Sequence, residues 1–382
     1  MLEQERERGP VREIPGDAGR EPEAGTGLCL SGGGYRAMLF HTGSLWRLNE
    51  AGMLPKLARI SSVSGGSITA GVLGMNWERL EFVDGVAQRF AERVVQPVRA
   101  LASQSIDVSS VVVGALTPRR SASDRIVTAY RKFLFGNATL QDLPNYPRFV
   151  INATNVQSKA LWRFSKPYCR DYRVGKIPNP KLELALAVGA SSAFPPFLSP
   201  VELRFEESDY VPNTGMDLQR PPYTTRVVLT DGGVYDNLGL ETAWKRNWTI
   251  LVSDAGGQAS DEERPSTDWA RHTHRILEVI DHQVRSLRKR LLIDAYIRDR
   301  RPGAYWSIRS EIANYGLGDG ALDCPQEKVD EIADVPTRLQ KLPARMQERL
   351  INWGYAMTDA ALRRHVDRTL PKGKFPYAGG VG

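Results

Sequence analysis

Cysteine and long apolar runs are both scarce in this sequence. The 382-residue chain has three cysteines, Cys29, Cys169 and Cys324, which lie far apart and show no CxxC spacing. A disulfide framework or a zinc site is therefore not expected, and a reducing compartment such as the cytoplasm fits best. No run approaches the roughly 18 consecutive apolar residues of a membrane-spanning helix, so any membrane contact is expected to be peripheral.

The N-terminal residues lack the apolar core that a signal peptide needs. They mix Glu and Arg with Gly and Pro, which is typical of a solvated, disordered segment. We predict a polar tail over residues 1–24 and one large domain over residues 25–382, because a single α/β domain with insertions can reach this length. The elements of residues 302–382 are expected to pack on that same domain.

Neither sign of charge dominates the chain. Lys and Arg number 51 against 44 Asp and Glu, which leaves a net charge of +7. This excess favours contact with an anionic surface such as a phospholipid membrane without demanding it, and no nucleic-acid partner is expected. The hydrophobic fraction of 41% is enough for a sizeable core. The sequence does not specify an oligomeric state.

Five short apolar runs rich in β-branched residues are predicted to be strands. They cover residues 27–30, 58–63, 148–154, 226–230 and 249–254. Strands buried on both faces have this composition, and helical patterns separate most of the runs. We therefore predict a three-layer α/β/α fold with a mostly parallel central sheet. The Pro-rich segment 205–225 is either a lid over a site or a surface insertion.

Two helical patterns are predicted in the C-terminal half, over residues 269–297 and 335–368. The first has an apolar face and an opposite basic face, whose residues are Ile276, Ile280, Val284, Leu287 and Leu291, and Arg285, Arg288, Lys289 and Arg290. We favour a core helix with a solvated basic face. The alternative is that the basic face contacts a membrane.

The stretch RISSVSGGSITAGVLG, residues 59–74, is predicted to run from a strand through a tight turn into a helix. A nucleophile on such a turn needs small residues two before and two after it, because these pass close to each other. Ser64 has Ser62 and Gly66 at these positions, and the N–H of Gly65 can face a developing oxyanion. Ser67 is a weaker candidate, and a plain turn without chemistry is the other alternative.

A glycine-rich loop lies in LSGGGYRAM, residues 30–38, between a predicted strand and a predicted helix. Gly32, Gly33 and Gly34 leave backbone N–H groups that can bind an anion or an oxyanion. The patterns of the P-loop and of the dinucleotide-binding loop are not met. Arg36 follows in the first helical turn, where it can bind a lipid phosphate or pair with a nearby acid.

The stretch LTDGGVYDNLGLE, residues 229–241, places Asp231 at the end of a predicted strand, before two glycines. An acid there can reach a site at the carboxyl edge of the sheet, although a cap for the next helix is the alternative. A serine on a tight turn, a glycine-rich donor loop and a strand-end aspartate are together the parts of an acyl-transfer site.

The segments SGGGYR, SVSGG and DGGVYDN, in this order, resemble those of the patatin-like phospholipase family. ALAVGASSAFPPF, NATNVQSKALWRFS and RLINWGYAMTDAALR add to the resemblance, which covers roughly residues 25–365. It implies a Ser–Asp dyad in which Ser64 is the nucleophile and Asp231 the base. Gly32, Gly33 and Gly34 would supply oxyanion donors, with Arg36 beside them. Ser31, Ala37 and Ser62 depart from the plant patatin pattern by small substitutions.

The activity that the resemblance implies is hydrolysis of acyl esters in phospholipids or lysophospholipids, without a metal or cofactor. Phe194, Phe197 and Leu198 are candidates for an apolar wall and an acyl channel, or else for ordinary core packing. One alternative is an α/β-hydrolase triad of Ser64, Asp254 and one of His272, His274 or His282. Another is a non-catalytic module that binds lipid or nucleic acid through the basic cluster of residues 285–301.

Overall fold

The computed structural model describes residues 22–106, 122–195, 198–257 and 261–382. The strands are β1 (Glu23–Leu30), β2 (Leu57–Val63), β3 (Phe82–Val83), β4 (Val86–Ala87), β5 (Arg148–Asn155), β6 (Ala160–Ser165), β7 (Tyr168–Asp171), β8 (Gly175–Pro178), β9 (Val201–Arg204), β10 (Arg226–Asp231), β11 (Asn247–Asp254) and β12 (Gly303–Ser307). The helices are α1 (Gly34–Glu50), α2 (Gly65–Met75), α3 (Gln96–Ala102), α4 (Ala122–Tyr130), α5 (Leu184–Ser191), α6 (Gly233–Asp236), α7 (Leu240–Trp244), α8 (Trp269–Ile297), α9 (Gln326–Ala333) and α10 (Ala344–His365).

The centre of the sheet is parallel, as predicted. Strands β12, β11, β1, β2 and β5 lie side by side in that order, and each neighbouring pair is parallel. Beyond β5 the sheet continues through β6, β7 and β8 with antiparallel pairing. These short strands were not predicted. In β7 and β8 burial alternates from residue to residue, so neither has the continuous apolar run of a strand buried on both faces.

Strand β10 does not join the parallel series. It pairs in the antiparallel direction with β5, and β9 pairs with it on the other side. The segment 205–225 connects β9 to the start of β10, whereas Asp231 lies at the opposite end of that strand. Within this segment the ring of Phe205 stacks on Trp162, with ring centroids 6.1 Å apart. These contacts favour a surface insertion over a lid.

Each face of the sheet is covered by its own apolar core. Leu28 and Leu30 of β1 belong to the larger core, whereas Cys29 between them belongs to the second core on the opposite face. Successive side chains of a strand point to opposite faces, so helices must cover both sides of the sheet. Leu292 of α8 contributes to the second core. The structure therefore confirms the three-layer α/β/α fold.

The predicted element boundaries differ most at the two ends of the chain. β1 begins at Glu23, so it includes the last two residues of the predicted tail, and residues 1–21 lie outside the described residues. The prediction of a helix over residues 335–368 is wrong for residues 335–343. Helix α10 begins only at residue 344, because Pro336 and Pro343 interrupt a helical ladder.

Helix α8 has the predicted bounds, but the orientation of its faces is the reverse of the prediction. Lys289 lies 2.7 Å and Arg285 3.7 Å from the buried carboxylate of Asp254, and Arg288 lies 3.6 Å from buried Asp236. The apolar side chains expected in the core, Ile276, Ile280, Leu287 and Leu291, are exposed instead. Leaving the buried carboxylates of Asp254 and Asp236 without cations would cost several kcal/mol each, so these acids beneath α8 favour packing of the basic face.

Helices α1 and α10 cross at very close range. A Cβ atom on Gly354 would overlap the carbonyl oxygen of Phe40, and a Cβ atom on Gly43 would overlap that of Ile351. The two glycines therefore allow the C-terminal helix to pack directly on the helix that follows the glycine-rich loop. None of the helices in the described part of the chain is both long and apolar enough to cross a bilayer.

We expect Gly354→Ala to destabilise the fold by about 2 kcal/mol or more, because the methyl group forces the two helices apart and outweighs the roughly 1 kcal/mol gain in helix propensity. Thermal unfolding followed by circular dichroism measures the change. Gly379→Ala is the matched control, since a Cβ atom there meets nothing within 4 Å. Equal melting temperatures for Gly354→Ala and the control would contradict the close crossing.

Candidate active site

Strands β2 and β10 end against each other along β5. Val63, the last residue of β2, pairs with Asn152 of β5, and Asp231, the last residue of β10, pairs with the next residue, Ala153. The two strands approach this point from opposite directions. Ser64, which follows β2, is thereby placed beside Asp231, although the two residues are far apart in the chain.

Ser64 occupies the strained turn expected for it. Its backbone dihedrals are φ 50° and ψ −120°, outside the regions that non-glycine residues normally adopt. Its backbone N–H donates to the Oγ of Ser191 at 3.0 Å, and its side chain does not cap α2. A Cβ atom on Gly66 would lie 2.5 Å from the carbonyl oxygen of Leu30, which explains the glycine two residues later. Ser64 as a residue is partly exposed.

Ser67, the rival candidate, is fully buried and its hydroxyl is occupied. Its Oγ lies 3.0 Å from the Oγ of Ser62 and 2.9 Å from that of Ser191. Ser191 also donates to the carbonyl oxygen of Asn152 at 2.6 Å. Ser191, which connects the turn to α5, was not predicted as a site residue. The only signal for it in the sequence is its place in the stretch SSAFPPF.

The carboxylate of Asp231 is buried, and the N–H of Gly233 donates a hydrogen bond to its Oδ1 at 2.7 Å. Burial raises the pKa of Asp231 to about 7, although this hydrogen bond and the nearby Ser64 hydroxyl oppose the shift. Asp281 of α8 contributes a small further rise to this pKa. A carboxylate with such a pKa can accept a proton from a serine hydroxyl near neutral pH.

The glycine-rich loop touches the turn at Ser64. A Cβ atom on Gly65 would lie 3.0 Å from the backbone N of Gly34. The N–H of Gly32 donates to the carbonyl oxygen of Asn237 at 3.0 Å, so Gly32 does not offer the free donor that was expected. Within residues 22–106, 122–195, 198–257 and 261–382, the N–H groups of Gly33, Gly34 and Gly65 have no hydrogen-bond partner. These three N–H groups can serve an oxyanion.

The buried side chain of His41, which was not predicted as a site residue, contacts this glycine-rich loop. The Nε2 of His41 lies 2.9 Å from the carbonyl oxygen of Ser31, and its Nδ1 lies 2.8 Å from the Oγ of Ser253. Burial lowers the pKa of His41 to about 4, so the ring is neutral near pH 7. A carbonyl oxygen can only accept, so Nε2 carries the proton and Nδ1 accepts from Ser253.

Arg36 does not face the candidate site. Its guanidinium is buried and donates to the carbonyl oxygens of Ala255 and Val335, and to the Oγ1 of Thr337 at 2.8 Å. Burial lowers the pKa of Arg36 to about 10, which leaves it charged. The prediction that Arg36 binds substrate is therefore wrong in this structure. Its guanidinium instead connects two loops at the start of α1 through hydrogen bonds.

The predicted apolar wall is only partly visible. Phe194 is 53% exposed, so it does not form a buried wall beside Ser64 and Asp231. Phe197 lies outside the described residues. Leu198 packs against the main core and is half-buried. The backbone of this segment nevertheless contributes to the site, because the carbonyl oxygen of Ala193 accepts the N–H of Asp231 at 2.9 Å.

The histidine triad loses its support. The oxygens of Asp254 contact Lys289, Arg285 and the hydroxyl of Tyr305, which donates at 2.8 Å. Burial would raise the pKa of Asp254, but the two cations hold it well below its ordinary value. His272 and His282 are exposed on α8. Among the described residues, no group of three or more His, Cys, Asp or Glu side chains could hold a metal ion.

A serine on a strained turn between a strand of a mostly parallel sheet and a helix, with a possible base beside it, is the arrangement of an activated nucleophile in hydrolases. The family model of the patatin-like phospholipases matches residues 28–244, which is more than half of the chain. The chain therefore belongs to the patatin-like phospholipase family, a family of ester-bond hydrolases. A search of curated proteins found no match.

Solved structures with weak similarity include human GIVD cytosolic phospholipase A2, at 16% identity and a TM-score of 0.40, covering 66% of this chain and 47% of that chain. The match to VipD from Legionella pneumophila has 16% identity and a TM-score of 0.38, and it covers 90% of this chain and 67% of the VipD chain. The match to the structure of ExoU from Pseudomonas aeruginosa in complex with SpcU has 14% identity and a TM-score of 0.26. It covers 93% of this chain and 82% of the matched chain. The chain thus spans about half the length of the human enzyme.

We expect Asp231→Asn to stabilise the protein at alkaline pH. Because burial raises the pKa of Asp231 from 3.8 to about 7, the stability that depends on its protonated form is present below about pH 4 and is lost as the pH rises through 7. The amide carries no charge, so the melting temperature of the variant should exceed that of the wild type at about pH 8.5 by more than at about pH 5.5.

Asp217→Asn is the control for this experiment, since Arg173 lowers the pKa of the exposed Asp217 carboxylate. That variant should gain nothing as the pH rises. Differential scanning calorimetry at both pH values measures the comparison. A gain for Asp231→Asn that is the same at both pH values would show that the Asp231 carboxylate does not titrate as described.

Proposed function

We propose that this protein is a serine acyl hydrolase of the phospholipase A or lysophospholipase type, which releases fatty acid from lipids through a Ser–Asp dyad. The observation that carries the proposal is the placement of the strained Ser64 beside the buried carboxylate of Asp231, where β2 and β10 end at adjacent residues of β5. Membership of the patatin-like phospholipase family supports the lipid ester as the substrate class.

In the first half of the proposed reaction, Asp231 accepts the hydroxyl proton of Ser64 while Oγ attacks the ester carbonyl carbon. The carbonyl electrons move to oxygen, and the N–H groups of Gly33, Gly34 and Gly65 stabilise the resulting oxyanion. The intermediate collapses as the bond to the alcohol oxygen breaks. Asp231 returns the proton to that oxygen, which leaves an acyl-enzyme on Ser64.

In the second half, a water molecule takes the place of the leaving alcohol. Asp231 accepts a proton from this water, whose oxygen attacks the acyl carbon, and the same N–H groups stabilise the second oxyanion. The bond to Ser64 breaks, the proton passes to Oγ, and fatty acid is released. The pKa of about 7 at Asp231 suits both steps, since the group must take up and return a proton near neutral pH.

The alternatives of an anionic membrane contact or nucleic-acid binding through the basic face of α8 have lost their basis. Arg285, Arg288 and Lys289 point to buried carboxylates rather than to solvent. We retain lipid as the partner and a cytoplasmic, peripheral location as part of the proposal. Any membrane contact must then use another surface.

We expect Ser64→Ala and Asp231→Asn each to reduce the hydrolysis of a soluble acyl ester by about 10³-fold or more, while the fold is kept. Ser64→Ala should also abolish covalent labelling by a fluorophosphonate probe, whereas Ser67→Ala should still be labelled, because the Ser67 hydroxyl is buried. Mass spectrometry of the labelled protein locates the adduct. Labelling at any residue other than Ser64 would show that the nucleophile is misassigned.

The pH dependence of kcat/KM is expected to follow the base. The rate should rise with pH, pass half of its maximum near pH 7 and then level off, because Asp231 must be ionised to accept the proton of Ser64. A stopped-flow or steady-state assay with a soluble ester measures the profile. A rate that is constant from about pH 5 to about pH 9 would exclude a base with this pKa.

A triple variant of His272, His274 and His282 to Ala separates the dyad from a triad. We expect kcat/KM to stay within about twofold of the wild type, since none of the three histidines takes part in the proposed reaction. Circular dichroism of the same sample controls for the fold. A loss as large as that of Ser64→Ala would instead support a catalytic histidine.

A further inference from the structure

The three N–H groups proposed to bind the oxyanion belong to two separate segments of the chain. Those of Gly33 and Gly34 lie in the glycine-rich loop after β1, whereas that of Gly65 lies in the turn after β2. All three can reach one oxygen atom only if the loop and the turn keep a fixed relative position. A displacement of about 1 Å in such a site can slow a reaction about 10²-fold, so the contacts between loop and turn matter for the proposed reaction.

The carbonyl oxygen of Ser31 joins the loop to the turn. Ser31 directly precedes the glycines, and its carbonyl oxygen accepts the backbone N–H of Gly66 at 3.2 Å. The same oxygen accepts the Nε2–H of His41 at 2.9 Å. A carbonyl oxygen has two lone pairs, so it can accept both hydrogen bonds at once. His41 therefore binds the very atom through which the loop contacts the turn.

The position of His41 in α1 explains how its ring reaches this atom. His41 lies seven residues after Gly34, the first residue of α1, so the two residues are about two turns apart on nearly the same face of the helix. Side chains of a helix lean toward its N-terminus. The fully buried ring is thereby directed back toward the end of β1.

His41 forms a closed cycle of hydrogen bonds with Ser31 and Ser253. The Oγ of Ser253 donates to Nδ1 of His41 at 2.8 Å, and the Nε2–H of His41 donates to the carbonyl oxygen of Ser31. The N–H of Ser31 donates in turn to the carbonyl oxygen of Ser253 at 3.1 Å. Both backbone polar groups of Ser31 are thus held. Removing the imidazole would leave two buried polar groups without this partner, which costs more than one hydrogen bond.

We propose that His41 is a positioning residue for the oxyanion donors. Its Nε2–H holds the Ser31 carbonyl oxygen where that oxygen also accepts the N–H of Gly66, and this keeps the glycine-rich loop at a fixed distance from the turn at Ser64. The role rests on the proposed function, but the position of the loop can be measured without turnover. Because the oxyanion exists only after substrate has bound and reacted, loss of this donor should lower kcat rather than raise KM.

The test compares His41→Met with His41→Gln in the full chain. The two replacements have similar size and helix propensity, but only glutamine carries a donor and an acceptor on either side of one carbon atom, as neutral imidazole does. With p-nitrophenyl butyrate as substrate, His41→Met should lower kcat by about 10- to 100-fold and leave KM within about twofold. His41→Gln should restore kcat to within about fivefold of the wild type.

His365→Met is the matched control, because His365 is exposed at the end of α10. Its kcat should equal that of the wild type. The pH at which kcat/KM is half-maximal should stay near 7 in every variant, since it reflects Asp231. A wild-type kcat for His41→Met, equal losses for His41→Met and His41→Gln, or a shift of this pH by more than about half a unit would overturn the proposal.

Two measurements that need no turnover guard against a folding defect in the variants. Nitrogen-15 NMR of the wild type near pH 7 should find the His41 proton on Nε2, and a proton on Nδ1 instead would overturn the proposal, because Ser31 would lose its donor. The amide hydrogen of Gly66 should exchange with solvent about tenfold faster or more in His41→Met than in the wild type or His41→Gln. Equal exchange rates in all three proteins would also overturn it.

These measurements separate the positioning role from the proposed function. If the wild type does not hydrolyse the ester but exchange at Gly66 depends on His41 as expected, the proposed function fails and His41 still positions the loop. If the wild type hydrolyses the ester and His41→Met keeps the wild-type kcat, the positioning role fails and the proposed function stands.

Discussion

The site depends on a single structural constraint: two strands that run in opposite directions end at neighbouring positions of β5. Val63 pairs with Asn152 and Asp231 with Ala153, so the ends of β2 and β10 meet adjacent residues of β5. Because hydrogen bonds along a shared strand fix register, the distance between Ser64 and Asp231 is set by the sheet rather than by flexible loops. The glycine-rich loop then needs only to close over the serine.

Buried acids shape the molecule well beyond Ser64 and Asp231. No cation contributes to the pKa shift of the buried Asp231 carboxylate. Its pKa therefore rises to about 7, so the group can act as a base near neutral pH. At Asp254 two cations from α8 compensate the burial and hold the pKa far below its ordinary value. The first arrangement gives chemistry at some cost in stability, and the second fixes the orientation of a whole helix.

Much of the parallel core could be predicted from the sequence, because apolar runs rich in β-branched residues and glycine turns have local causes. Ser64 could also be predicted, because the small residues at positions 62 and 66 are required by the geometry of a single turn. Strands β6 to β8 and the orientation of α8 could not be predicted locally. They depend on partners distant in sequence, such as Asp254 for Lys289, and the sequence pattern of an amphipathic helix does not say which face turns inward. Side-chain roles were harder to predict than side-chain positions: Arg36 lies beside the glycines as expected, but carbonyl oxygens of two distant loops satisfy its guanidinium.

Ser64 and Asp231 are both attached to one short segment at the end of α5. The Oγ of Ser191 accepts the backbone N–H of Ser64, and two residues later the carbonyl oxygen of Ala193 accepts the backbone N–H of Asp231. A small shift of this segment would therefore move the two residues jointly rather than separately.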